Sequence, residues 1–382
     1  MKTTTTPTDT ATAALNARES AERLPQEPPQ ETEAAETFAR LREIAQTLNA
    51  KPFRPHPVFR SGHAQTLLGF VWPRRRDLRA HVSDESRLFE VEPGVRVLAH
   101  CRWQSERTSR PTLVLLHGLE GSSASVYILG SAHLAYQTGF NVVRVNMRNC
   151  GSTEHLTPTL YHSGMSGDIR AVVCELAERD KLPRIFVAGF SMGGNIVLKM
   201  AGEMGDHARR ELRGVCAVSP ALNLGECADR ISEPSNWLYH QSFMRSLRRR
   251  IRHKKRLYPT LYDTNELRRV RTIRDFDNRY TSVQGGYANA EEYYARASSI
   301  SLVAQIRTPT LIVHAQDDPL VPFASFTHPS LSGNPYIIPL LPPHGGHVAF
   351  VAATDNPRER FWAESRLVEF CRLLDEGEGV KQ

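Results

Sequence analysis

The strongest constraint on this chain is a series of short apolar runs spaced along it. "TLVLLH" (112–117) is wholly apolar over too few residues for a helix, as expected of a strand buried on both faces. "NVVRVN" (141–146), "RIFVAG" (184–189), "GVCAVS" (214–219), "TLIVHA" (310–315) and "PYIIPLL" (335–341) read as the strands that follow it. Helix-period segments lie between them: "SASVYILGSAHLAYQTG", "GDIRAVVCELAERD" and "MGGNIVLKMAGEMG", with "ERFWAESRLVEFCRLLDE" near the end. Ahead of them "LFEVEPGVRVLAHCRW" reads as a hairpin turning at Pro93-Gly94. Such alternation predicts an α/β fold: an open, mostly parallel sheet with helices on both faces.

Spacing locates the additions to that sheet. A crossover needs only about a dozen residues, yet "GVCAVS" and "TLIVHA" are far further apart. An inserted helical cap over about 222–305 is expected, with "NWLYHQSFMRSLRRRIRHKKRLY" and "ANAEEYYARAS" as helices. Residues 1–35 are rich in Thr, Glu, Pro and Gln and hold too little apolar surface to offset the entropy of ordering. They are expected to be disordered, and 36–50 to form a short helix. Residues 1–50 thus read as a disordered or loosely helical extension, and 51–382 as the domain, beginning with an ordered arm over 51–76.

The net charge of +7 is local. "RSLRRRIRHKKR" (245–256) holds eight basic residues; removing them from 48 leaves 40 against 41 acidic ones. Phe243, Met244, Leu247 and Ile251 recur at helical spacing, so the basic side chains are expected on the solvated outer face, where they could adhere to anionic lipid headgroups. No aromatics are interleaved for base stacking, and no nucleic-acid partner is expected. The six cysteines form no C-x-x-C pair and several sit in apolar runs, which favours reduced, buried thiols and a cytoplasmic location. Neither a signal peptide nor a spanning segment is evident.

Chemistry concentrates where parallel sheets present ligand sites, at the C-terminal ends of strands. "GFSMG" (189–193) places Ser191 on a strand–turn–helix corner, with flanking glycines that permit a sharp turn. Asp318 follows "TLIVHA" in "QDDPLVP", and His347 follows "YIIPLL" in "PPHGGH". The order Ser, Asp, His suits a nucleophile, an orienting acid and a base. Asp317 and His344 are chemical alternatives to the two partners. An oxyanion hole is expected from the backbone N–H groups of Met192, after the nucleophile, and Leu119, in "HGLEGSS" (117–123). His117 is expected to orient that loop. A Gly-Gly loop does not hold a fixed ligand face as a helical H-E-x-x-H does, so no metal is expected of "HGGH". Neither phosphate-loop nor dinucleotide motifs occur, and no cofactor is expected.

Taken together, "HAQTLLG", "LLHGLEGSSAS", "VNMRNCGST", "YHSGMSGD", "GFSMGGNIVLK", "RDFDNRYTS", "GYANAEEYY", "AQDDPLVP" and "HGGHVAF" span about residues 53–350 in unbroken order. The chain thereby resembles the YheT-like type of α/β-hydrolase (AB hydrolase superfamily, type 4), which includes bacterial esterases and abhydrolase-domain lipid hydrolases. The resemblance implies an α/β-hydrolase fold and a serine hydrolase acting on carboxylic esters, with short-chain esters and monoacylglycerols as recurrent substrates. It carries the triad roles onto Ser191, Asp318 and His347, and places "RDFDNRYTS" and "GYANAEEYY" in the cap. Membrane-anchored relatives begin with an apolar segment that has no counterpart here. Acyl transfer or thioester hydrolysis by the same triad, and lipid binding without catalysis, are the rival expectations.

Overall fold

The strands do pack side by side in one sheet. The computed structural model describes residues 31–72, 84–208 and 210–376. The chain divides into Met1–Thr37 and Phe38–Gln382. Of the former, the described residues belong to the first turns of helix α1 (Glu31–Asn49). A helix α2 (Gly62–Val71) comes next, then the hairpin β1 (Glu85–Glu92) and β2 (Val95–Arg102). The alternating body is β3 (Thr112–Leu116), α3 (Val126–Gln137), β4 (Asn141–Val145), α4 (Ser166–Glu178), β5 (Ile185–Phe190), α5 (Met192–Met204) and β6 (Leu212–Val218).

Between β6 and β7 stand α6 (Leu224–Ser232), α7 (Trp237–Leu257) and α8 (Ala290–Ala297). A four-residue helix at Ile273–Phe276 and a π-helical turn at Asp277–Thr281 lie between α7 and α8. The chain closes with β7 (Thr310–Val313), β8 (Ile337–Leu340) and α9 (Trp362–Glu376).

The eight strands run in the order β1-β2-β4-β3-β5-β6-β7-β8. The hairpin and its junction with β4 are antiparallel, and every other pairing is parallel. Side chains of each central strand alternate between two apolar layers. Val114 and Leu116 share a layer with α4, α5 and the helices between β6 and β7, whereas Leu113 and Leu115 share one with α1, α3 and α9. All residues of β3, β4 and β5 are buried, which is why these strands read as continuous apolar runs.

Two expectations for the N-terminal region need correction. Residues 31–35, expected to be disordered, are helical; residues 1–30 lie outside the described residues. The extension expected over 1–50 is also too long, because α1 is part of the core. Leu41, Ile44 and Leu48 are buried in the same layer as Phe140, Ile338 and Phe370. Each such burial is worth about 1.5–3 kcal/mol, and the Arg40 guanidinium donates to the Leu373 carbonyl (2.8 Å). None of the six cysteines is in a disulfide, and Cys216 and Cys371 meet at Sγ···Sγ 3.8 Å. No described helix is long and apolar enough to cross a membrane.

Candidate active site

Ser191 occupies the corner between β5 and α5 with φ 55° and ψ −119°. A non-glycine residue in that region costs about 1–3 kcal/mol and is tolerated only where its surroundings hold it. Here the Ser191 N–H donates to Val218 on β6 (2.9 Å), while its carbonyl accepts from Asn195 and Ala221. Gly193 permits the close approach of α5 to β3, since a Cβ there would stand 2.4 Å from the His117 carbonyl oxygen.

The structure brings the three candidate side chains together from the ends of three strands. His347 Nε2 lies 2.9 Å from Ser191 Oγ, and His347 Nδ1 lies 2.8 Å from Asp318 Oδ2. An ionised Asp318 accepts only, so Nδ1 carries the proton and Nε2 is free to accept from the serine hydroxyl. Asp318 Oδ1 accepts from the N–H groups of Leu320 (2.8 Å) and Val321 (3.0 Å). Burial by itself pushes the Asp318 carboxyl up. Electrostatic interaction and the hydrogen bond with His347, with help from the Leu320 N–H, outweigh it and hold the pKa below its ordinary value.

The two chemical alternatives pair with each other instead. His344 Nδ1 lies 3.2 Å from Asp317 Oδ2, and Asp317 Oδ1 accepts from the Gly346 N–H (2.9 Å). The four donors of "DD" and "HGGH" are therefore divided between two separate pairs.

Several positioning groups went unmarked in the sequence. Thr66 Oγ1 accepts the His347 N–H (2.8 Å), and Ser219 Oγ accepts that of Val348 (3.1 Å). Gln65 accepts the Val351 N–H (2.8 Å) and donates back to its carbonyl (3.2 Å). Together they hold the loop after β8, in which Val348 and Phe350 take positive φ of 61° and 44°. Behind Asp318, the His314 ring stacks on Phe326 at 3.7 Å, with Nδ1 3.8 Å from Asp318 Oδ2. Burial lowers its pKa to about 4, so it stands there neutral. The signal for Gln65 and Thr66 was the motif "HAQTLLG", whose partners lie some 280 residues away.

The loop after β3 carries the other expected donor. His117 is fully buried, and burial lowers its pKa to about 4. Its Nδ1 donates to the Gly118 carbonyl (2.8 Å) and its Nε2 accepts from the Met147 N–H (3.1 Å). The Gly118 N–H is taken by Tyr127 Oη (3.0 Å) and the Glu120 N–H by Tyr161 Oη (2.8 Å). The Leu119 N–H between them has no partner among the described residues, and Met192 opens α5, where N–H groups have no intrahelical acceptor. Both residues line one cavity with Ser191 and His347.

Residues of α7 fix this loop, and here the expected placement of the basic run is corrected. Arg250 points inward: Nε donates to Glu120 Oε1 (2.7 Å), and the guanidinium lies 5.0 Å over the Tyr161 ring. Lys254 is fully buried and donates to the carbonyls of Glu154 and Thr157. Burial, then the charge of Arg250, lowers its pKa to about 8. Carbonyl oxygens and a carboxylate 97–130 residues away satisfy these charges, so part of the run is buried rather than a solvated face.

The cavity over Ser191 measures about 870 Å³ including its open mouth. Its wall is mainly apolar, with Leu224, Phe243, Ile273 and Phe276 from the insertion and Leu160 from the loop after β4. One carboxylate breaks this wall. Asp277, on the π-helical turn, accepts from Tyr294 Oη (2.7 Å), and burial raises its pKa to about 6. Between its ordinary value of 3.8 and about 6 the folded chain holds a proton that the unfolded chain has lost. Stability therefore falls as pH rises through that window. Asp277→Asn is expected to raise stability at pH 8 by about 1–3 kcal/mol, with the gain shrinking as pH falls from about 6 toward 3.8. Urea denaturation at the upper and lower pH checks this, and an equal effect at both would sink it.

Comparison with known proteins agrees with the fold. A family profile described as the alpha/beta hydrolase fold matches residues 111–352. The chain is 34% identical over 274 residues to a monoacylglycerol lipase of Saccharomyces cerevisiae, a match covering 70% of this chain and 59% of that relative. It is 29% identical over 321 residues to the putative esterase YheT of Escherichia coli, covering 83% of this chain and 92% of that one. Among solved structures, the Pyrococcus furiosus esterase Pf2001 superposes with a TM-score of 0.52 at 20% identity, over 84% of this chain and 97% of that one, a likeness of fold. With its profile match, its sheet order and its serine elbow, the chain belongs to the alpha/beta hydrolase fold family and is YheT-like within it.

Proposed function

We propose that this protein is a serine hydrolase of carboxylic esters, with Ser191 as nucleophile, His347 as base and Asp318 as its orienting acid. The observation that carries this reading is His347 itself, bridging Ser191 Oγ at 2.9 Å and Asp318 Oδ2 at 2.8 Å on the floor of an apolar cavity. The hydroxyl attacks the ester carbonyl while His347 Nε2 takes its proton. The N–H groups of Leu119 and Met192 receive the charge that develops on the carbonyl oxygen. His347 returns the proton to the leaving alcohol. Water, activated by the same imidazole, then releases the acid.

The apolar wall favours an aliphatic acyl group, and the names of the yeast and bacterial relatives point to acylglycerols and simple esters. Short- to medium-chain esters and monoacylglycerols are the substrates we assign. The residues between β6 and β7 act as the cap that shapes the acyl site, and six cysteines outside any disulfide suit the cytoplasm.

The test is turnover of p-nitrophenyl esters from acetyl to palmitoyl, with fluorophosphonate labelling alongside. Hydrolysis that peaks at short or medium chains, with labelling, is expected. Added glycerol should leave the free acid as the main product; acylated glycerol would transfer the assignment to acyl transfer, and faster cleavage of acyl-thioesters to a thioesterase. Absence of both turnover and labelling would make the protein a lipid binder on a hydrolase scaffold.

A further inference from the structure

Helix α2 is amphipathic the wrong way round for a helix packed on a core. Its buried positions are Gly62, Gln65, Thr66 and Gly69, which meet the loop carrying His347. Its outward positions are His63, Leu67, Phe70 and Val71, the last two 57% and 74% exposed. At 100° per residue these four fall on one side of the helix. Its apolar face thus points to solvent while its polar face holds the site.

Helix α7 stands beside it, since the His63 ring stacks on Tyr239 with centroids 5.8 Å apart and planes 9° from parallel. Trp237 and Leu238, at the start of α7, are 59% and 62% exposed. Along the same face as Leu238 come Arg245, Arg249, Arg252 and Arg256, all exposed and all within about 60° of arc. They form a cationic stripe about 17 Å long. No ion pair or hydrogen bond engages these four among the described residues, whereas Arg250 and Lys254 of the same helix are bound inward.

We propose that this ledge and stripe are a docking surface for an anionic lipid bilayer. The apolar ledge of Leu67, Phe70, Val71, Trp237 and Leu238 enters the headgroup–acyl boundary, and the arginines lie on the acidic headgroups. Charge complementarity selects the lipid. A polyphosphate chain would satisfy the stripe but leave the apolar ledge in water. The inner faces of both helices serve the site: α2 holds the His347 loop, and Phe243, Leu247 and Arg250 of α7 line the cavity. A docked molecule would therefore keep its acyl cavity next to the membrane from which an amphiphile is drawn. Binding itself does not depend on the ester-hydrolase reading; only its purpose does.

The experiment is co-sedimentation of the full-length Ser191→Ala chain with phosphatidylcholine vesicles, with and without phosphatidylglycerol, at low and high salt. Strong retention on the anionic vesicles at low salt is expected, weakening as salt screens the charges. At about 1 kcal/mol per arginine, Arg249→Gln with Arg252→Gln should lower partitioning about 30-fold. Val71→Asp with Leu238→Asp should weaken it as well. In the Ser191 background, turnover of a short soluble ester should match the parent for both double variants, which separates docking from catalysis. Equal retention on neutral and anionic vesicles, unchanged retention of the arginine variant, or a preference for a polynucleotide over anionic vesicles would overturn the proposal.

Discussion

Ser191→Ala is expected to lower kcat by about 10⁶-fold on any ester the wild type cleaves, the scale of losing a triad nucleophile. In the proposed mechanism the loss is so large because His347 and Asp318 act only through the hydroxyl they activate. The oxyanion donors and the cavity keep working, so a residual rate about 10³–10⁴ above water should remain. Fluorophosphonate labelling should vanish with turnover, while the fold stays intact, because alanine occupies the same backbone conformation. Ser191→Gly is a useful companion. It relieves a side chain held at φ 55° and should raise stability by about 1 kcal/mol after the entropy cost of glycine. Stopped-flow turnover, labelling and thermal denaturation on the three proteins read these outcomes separately. Retention of more than about a hundredth of kcat in Ser191→Ala would place the nucleophile elsewhere.

Much of the architecture was legible because its physical cause is local. A strand buried on both faces must be apolar throughout, so β3 announces itself in "TLVLL". The elbow is visible because the sharp turn restricts Gly193 to a residue without a side chain. The order of Ser191, Asp318 and His347 follows from which strands end at the site. What sequence alone left open are the long-range satisfactions. A run of basic residues is normally solvated, and only the fold reveals that Lys254 meets the carbonyls of Glu154 and Thr157. Leu41, Ile44 and Leu48 recur at helical spacing, but their partners include Ile338 and Phe370, so α1 looked like an appendage. Residues 51–76 read only as an ordered arm, because nothing nearby in sequence says that Thr66 will accept the His347 N–H. Asp317 and His344 were chemically equal to their neighbours until geometry paired them with each other.

That pairing makes Asp318→Asn the sharper test of the site. It is expected to lower kcat about 10⁴-fold, with little change in fold. The reason lies in how the amide must sit. Leu320 and Val321 direct two N–H groups at Oδ1, so an asparagine keeps its carbonyl there and turns its NH2 toward His347 Nδ1. Nδ1 must then accept, the ring proton moves to Nε2, and Nε2 can no longer take the proton of Ser191. Asp318 also stabilises the fold through its lowered pKa. The ionised form is favoured in the native state, so this contribution is present above the ordinary carboxylate range and lost as pH falls through the folded value. The asparagine variant should therefore unfold with a weaker dependence on acid than wild type. Asp317→Asn leaves a carbonyl for the Gly346 N–H and alters only the partner of half-exposed His344, so kcat should stay within about tenfold of wild type. Steady-state kinetics of the two variants at fixed pH, with acid denaturation curves for both, decide the matter. A larger loss in Asp317→Asn than in Asp318→Asn would move the acid role to the Asp317–His344 pair and require His347 to be only a neighbour of the reacting serine.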